Sequence, residues 1–312
     1  MTFHSQKIDE LESRLKTLLP EQYQDTYDDV QPVSMGSAGL KYDRDGKVAW
    51  DEIWGSFCDL AMAGGPPHKG TLLEPASPEE IEAEPNRHRW VVEEICRGVE
   101  MVTGLAAFPS DHSGWVQVDC TSLGMTGWLT RAIVMENISA RFEGMSLFLP
   151  AGPHYRVEKE TTNVITSIAK TCHYWHGHTS AEQHRAIGNL FAKMQQESPL
   201  LEPALPSSDI TTARQQALKE KIAATMHQQT GLTPTNHQYF GWLGLECPDV
   251  HSAVWMMRMF VVSNALSRRE DKAVFIPINP TIDPEGEIAL RLATQIHRLA
   301  AERNILPPHS FK

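Results

Sequence analysis

The chain has 312 residues, 41 % hydrophobic and 21 % charged, the balance of a globular protein long enough for one large domain or two ordinary ones. Its 28 basic residues against 39 acidic ones leave a formal charge of −11, which opposes attraction to nucleic acid or to an anionic membrane surface. No run approaches the roughly 18 apolar residues of a membrane span and the first residues lack the apolar core of a secretion signal, so a cytoplasmic protein is expected.

In chain order, "KIDELESRLKTLL" reads as an amphipathic helix and "KYDRDGKVAW" as a hairpin turning at Asp-Gly. A helical stretch ending near Met62 runs into the glycine-proline loop "AMAGGPPHKGTLLEP", and "EPASPEEIEAEP" reads as an exposed loop. Then come a helix ("HRWVVEEICRGVEMV"), a strand ("GWVQVDC"), a helix from about Met125, a strand ("MSLFLPA") and a helix from about Lys159. After the loop "EPALPSSD" the order recurs: a helix ("TARQQALKEKIAATMHQQ"), a strand ("GWLGLEC"), a helix from about Ser252, a strand ("AVFIPIN") and a helix from about Glu285.

The recurrence extends to the residues. Shifting the chain by 127 positions lays 103–153 on 230–280 without a gap and makes 15 of 51 positions identical, where about three would match by chance. The pairs include Gly104 with Gly231, Trp115 with Trp242, Cys120 with Cys247, Arg131 with Arg258, Asn137 with Asn264 and Arg141 with Arg268. "LLEPA" at Leu72 returns at Leu200, shifted by 128. A tandem duplication is the direct inference. Strand, helix and strand within some 35 residues predict a βαβ unit with parallel strands. The expected fold is therefore α/β: a duplicated αβαβα unit with a pseudo-two-fold axis and one mostly parallel sheet of about four strands, flanked by helices. An N-terminal helix and extension (1–38) would precede a first repeat (39–176) and a second (177–312), both packed as one globular unit.

Residues shared by both halves most simply serve packing, whereas those in one half are free to specialise. At 100° per residue Arg131, Val134, Asn137 and Arg141 fall on one helical face, repeated as Arg258, Val261, Asn264 and Arg268. Such arginines either tie the halves together through Glu143, Glu270 and carbonyls or, as with Arg131, clamp a carboxylate or phosphate. Cys120 and Cys247 precede helix starts, where the dipole lowers a thiol pKa, although cysteine is more often simply buried. The other cysteines, Cys58, Cys96 and Cys172, form no CxxC pair with them, so reduced thiols are expected rather than disulfides.

The first half alone has Gly64, Gly65, His68, Lys69 and Thr71, a loop able to wrap an anion, and His112, placed for acid–base work. "CHYWHGHTSAEQH" also lacks a counterpart, and His173, His176 and His178 there are either helix-end capping groups or metal ligands. No GxSxG, GxGxxG, HExxH or CxxC motif is present. The leading expectation is an anionic metabolite bound in a cleft between the halves by Gly64, Gly65, His68, Lys69, Thr71 and Arg131, with Cys120 or His112 reactive. A metal-dependent protein using the three histidines, with a transition metal as its cofactor, is the rival. A non-catalytic interaction protein, its first helix pairing with a partner or a second copy, is the third reading.

Overall fold

The computed structural model describes residues 3–25, 40–52, 70–205, 212–237 and 239–306. They divide into two compact units, one of residues 20–188 and one of residues 1–19 with 189–312. In the first, α2 (Pro78–Ala83) and α3 (Pro85–Thr103) lead to β1 (Ala107–Pro109), β2 (Trp115–Asp119), α4 (Leu123–Met135), β3 (Arg141–Glu143), β4 (Ser146–Pro150) and α5 (Thr162–Gly177). The second begins with α1 (Phe3–Leu18). After α6 (Ala181–Glu197), which crosses the boundary, it continues with α7 (Thr212–Thr230), β5 (Thr233–Pro234), β6 (Trp242–Glu246), α8 (Val250–Val262), β7 (Arg268–Glu270), β8 (Ala273–Pro277) and α9 (Glu287–Glu302).

The single, mostly parallel sheet expected from the sequence is not what forms. Each unit builds its own four-stranded sheet, β1-β2-β4-β3 in one and β5-β6-β8-β7 in the other, and every pairing is antiparallel. The cause is a short strand that apolar runs do not betray. The helix after β2 delivers the chain to β3, which points the same way as β2. A two-residue turn then sends β4 back between them. That turn carries Gly144 at φ 57 and its counterpart carries Asp271 at φ 49, residue types that tolerate the left-handed region. The parallel crossover thus joins strands that are not neighbours.

The two sheets have one register. Trp115 faces Pro150 and Arg141 faces Phe148, while Trp242 faces Pro277 and Arg268 faces Phe275, all offset by 127. One face of the first sheet is apolar, with Val116, Val118, Leu147 and Leu149 all 0 % exposed; on the matching face of the second, Leu245 and Val274 are 0 % exposed and the buried Arg269 is the cross-strand partner of Val274. Helix α3 presents Val91, Ile95 and Val99 to that core.

The asparagines end the helices rather than extending them. Asn137 and Asn264 adopt φ 60 and 63, so α4 and α8 stop before them. Arg141 and Arg268 consequently lie on strands, off the helical face drawn from the 100° spacing. Helix starts are capped by Ser122, whose Oγ accepts from Met125 N at 3.1 Å, and by Asp249, whose carboxylate accepts from Ser252 N at 2.7 Å.

Across these turns runs the repeated Leu-Leu-Glu-Pro-Ala segment. Leu73 N donates to Asn137 O at 2.8 Å and Ser139 N to Leu73 O at 2.9 Å; Leu201 N donates to Asn264 O at 2.9 Å and Leu266 N to Leu201 O at 2.8 Å. Its far end meets the last β-strand, with Ala76 N on Ala151 O at 3.0 Å and Ala204 N on Ile278 O at 3.2 Å. Residues 78–83, expected in an exposed loop, instead form α2, nucleated by a capping box between Ser77 and Glu80. The hairpin at Asp45-Gly46 is present, with Tyr42 bridging Val48. The apolar face of α1 is occupied within its own unit: Leu11, Leu15 and Leu18 are buried and Arg14 Nη1 donates to Val262 O at 3.4 Å.

Where the strap crosses the sheet, only glycine fits. A Cβ on Gly114 (φ 79) or Gly241 (φ 73) would lie 2.5 Å from the carbonyl of Ala76 or Ala204, whereas one on Gly104 (φ 70) would meet nothing within 4 Å. Gly104→Ala should cost about 1 kcal/mol, the left-handed penalty alone. Gly114→Ala and Gly241→Ala should cost about 3 kcal/mol or more, the clash being added. Urea denaturation of the three variants measures the difference.

Candidate functional site

The expected anion loop falls mostly outside the described residues: Gly64, Gly65, His68 and Lys69 are not among them, and neither are Cys58 and Met62. Thr71 is described and exposed. Cys120 lies before a helix start as the sequence indicated, yet burial governs it. At 6 % exposure its thiol is pushed up to about 11, mainly by desolvation, with Asp119 adding to the rise and a bond to Thr126 opposing it. Cys247 is pushed up to about 12 for the same leading reason. Both are protonated at neutral pH and therefore poor nucleophiles. The four described cysteines, Cys96, Cys120, Cys172 and Cys247, are free and buried.

Arg131 is 5 % exposed. Its Nη1 donates to Gly127 O at 2.9 Å, one turn back in α4, and burial brings its pKa down to about 10, so it keeps its charge inside the unit. The guanidinium is buried and bonded to its own helix, away from an open surface.

His112 is placed on the sheet face opposite the core. Its ring meets Phe148 edge-on at 5.1 Å and its Nε2 lies 3.3 Å from Glu143 Oε1. Glu143 also pairs with Arg141, two residues back in the same strand, and the Arg141 guanidinium stands 5.6 Å over the Phe148 ring. This cluster is open to water, His112 being 43 % and Glu143 52 % exposed.

The second unit contains the same construction, with its charges buried. Arg268 and Glu270 are two apart on β7, and their side chains are 0 % and 4 % exposed with Nη1 2.6 Å from Oε1. The guanidinium lies 4.0 Å over Phe275, 4.4 Å over Tyr239 and 5.1 Å over Trp242, an aromatic enclosure suited to a desolvated arginine. The other carboxylate oxygen has His237 Nδ1 at 2.7 Å. That ring N–H is not aligned on it as a hydrogen bond, so Glu270 Oε2 is a buried acceptor with no aligned donor among the described residues. The imidazole itself is 53 % exposed and lies nearly parallel to Phe275, 6.0 Å away. Each Arg-x-Glu pair closes within its own strand.

Sequence reasoning noted Arg268 and Glu270 as repeat-matched positions but not His237 or Tyr239, because these have no identical partners at Ser110 and His112. The signal that finds them is the alternation of β7 with the aromatic Phe275 opposite Arg268.

The histidines at the end of α5 divide. His176 is exposed, whereas His173 and His178 are half-buried with their Nε2 atoms 3.2 Å apart. Desolvation, assisted by His178, lowers the His173 pKa. Among the described residues no three His, Cys, Asp or Glu side chains converge as a metal site, so the expected trio of His173, His176 and His178 does not assemble. His184 is a fastener: it stacks on Trp175 at 3.9 Å, with Nε2 2.8 Å from Trp175 O and 2.7 Å from Thr179 Oγ1.

The two Arg-x-Glu pairs differ in burial, and their energetics should differ accordingly. Arg141→Met removes a water-exposed ion pair and should cost less than about 1 kcal/mol. Arg268→Met strands a buried carboxylate and should cost about 3–5 kcal/mol, read from chemical denaturation. Among the described residues no helix is long and apolar enough to cross a membrane. Compared with protein-family models, curated proteins and solved structures, the chain matches none.

Proposed function

We propose that the chain is a cytoplasmic small-molecule enzyme or binding protein for an anionic metabolite, a carboxylate or phosphate, with His237 as its acid–base group and Glu270 as the carboxylate that holds it. The observation that carries this reading is the contact of 2.7 Å between a half-exposed imidazole and a carboxylate that is buried and anchored by its other oxygen to Arg268. A general acid or base needs one nitrogen fixed and the other open to a reactant, and a contact that is misaligned without ligand tightens when one binds. The aromatic enclosure immobilises the arginine, so the carboxylate cannot follow the ring.

Charge supports an anion. Arg268 places a fixed cation beside the half-exposed His237 ring, through Glu270. An imidazole N–H at the surface is a donor for an anion's oxygen, a local feature that the whole-chain charge of −11 does not remove. Free buried thiols suit a reducing cytoplasm. We also infer an ancestral tandem duplication, supported by 15 identities in 51 aligned positions and by ladder pairs that coincide at one offset. The duplicated cluster kept its charges exposed in one unit and enclosed in the other.

Titrating protein labelled on its histidine side chains with inorganic phosphate and malonate should perturb the His237 imidazole resonances saturably. His237→Asn and Glu270→Gln should each weaken that binding at least tenfold, about 1.4 kcal/mol. Unperturbed His237 resonances, or variants that bind as the native chain does, would remove the proposal.

A further inference from the structure

We infer that His173 and His178 form a two-nitrogen site for a borderline divalent metal ion of the zinc and copper kind, separate from the His237 cluster and independent of its role. The observation is the convergence of two Nε2 atoms to 3.2 Å. Two imidazole nitrogens cannot aim lone pairs at each other across that distance with nothing between them, so they share either a proton or a cation. Zinc–imidazole bonds of about 2.0–2.1 Å opened at a tetrahedral angle place two ligand nitrogens ~3.3 Å apart, and a right-angled arrangement places them ~2.9 Å apart. The observed separation lies between these values, so the distance that now holds a shared proton also fits two ligands of one metal ion.

The backbone explains how residues five apart come together. Helix α5 ends at Gly177, and His178 is its C-cap at φ −129 and ψ 5, which returns its side chain over the last turn toward His173. The rings meet at 60° with centroids 5.1 Å apart. Tyr174 flanks both, its ring 6.2 Å from His173 and 5.4 Å from His178, and is tethered through its hydroxyl to Tyr23 at 3.1 Å. Lys170, 5.8 Å from the Tyr174 ring centroid, is neutralised by Glu136 at 2.9 Å, so it opposes a second cation only weakly. Both histidines are half-buried, leaving water to complete the coordination shell. Imidazole donors select zinc, copper and nickel over magnesium or calcium. His176, although nearest in sequence to both, is exposed and outside the site.

The test uses full-length protein without an affinity tag, titrated with Zn2+ by calorimetry and with Cu2+ by electron paramagnetic resonance. One equivalent of each should bind, Cu2+ the more tightly, with hyperfine structure from two imidazole nitrogens. His173→Ala and His178→Gln should each weaken binding at least tenfold, while His176→Ala stays within twofold. Circular dichroism melts confirm that the variants are folded, and the two substitutions on different sides of the helix end keep the outcome readable if one of them unfolds. Absence of a one-equivalent site would overturn the inference in favour of a shared proton. So would binding unchanged in His173→Ala or His178→Gln, or lost equally in His176→Ala.

Discussion

Each unit depends on one backbone arrangement, a left-handed asparagine at the end of the helix that follows the sheet's second strand. At φ 60 and 63 Asn137 and Asn264 turn the chain out of the helix and offer their carbonyls to a passing segment, Leu73 and Leu201 respectively. That segment then satisfies the amide after the asparagine turn and continues to the end of the last β-strand. It passes so close that Gly114 and Gly241 carry no side chain. Helix end, strap and strand end are therefore specified together, and asparagine is among the few residues besides glycine that enter the left-handed region at low cost. The identity of Asn, Gly, Pro and the Leu-Leu-Glu-Pro-Ala segment in both halves has this common physical source.

The pattern that repeats in the sequence is legible as structure, while strand direction is not. Helices announce themselves by spacing and caps, and the two long strands of each sheet by apolar runs stopped at Pro150 and Pro277. The three-residue strand Arg141–Glu143 has no apolar signature, and missing it reverses the deduced direction of everything paired to it. The same omission misplaced Arg141 and Arg268 on a helix. Among the candidates, His112 is legible as a loop histidine, and the structure places it beside Glu143. His237 has no such signal, because its candidacy rests on Glu270, whose burial is a property of packing and leaves no mark on residue type. Cys120 was legible in place but not in chemistry: a helix N-terminus lowers a thiol pKa only when water or charge can reach it, and desolvation is the larger effect here.

The same sequence element, Arg-x-Glu opposite a phenylalanine, has opposite consequences in its two settings. Glu143, half in water, is screened by solvent in its contacts with Arg141 and His112. Inside its aromatic enclosure Arg268 has no competing solvent, and Glu270 is held by it through one oxygen while the other lies 2.7 Å from His237 Nδ1. Enclosing such a pair is costly relative to an apolar filling of the same volume. The cost is offset only if the pair fixes something that apolar side chains cannot fix. Here the pair brings one carboxylate oxygen within 2.7 Å of a His237 ring that stays half in solvent, the contact on which the proposed acid–base role rests. The pair on β3 carries the same element with its carboxylate in water, so the two units differ in how they surround it and not in the element itself.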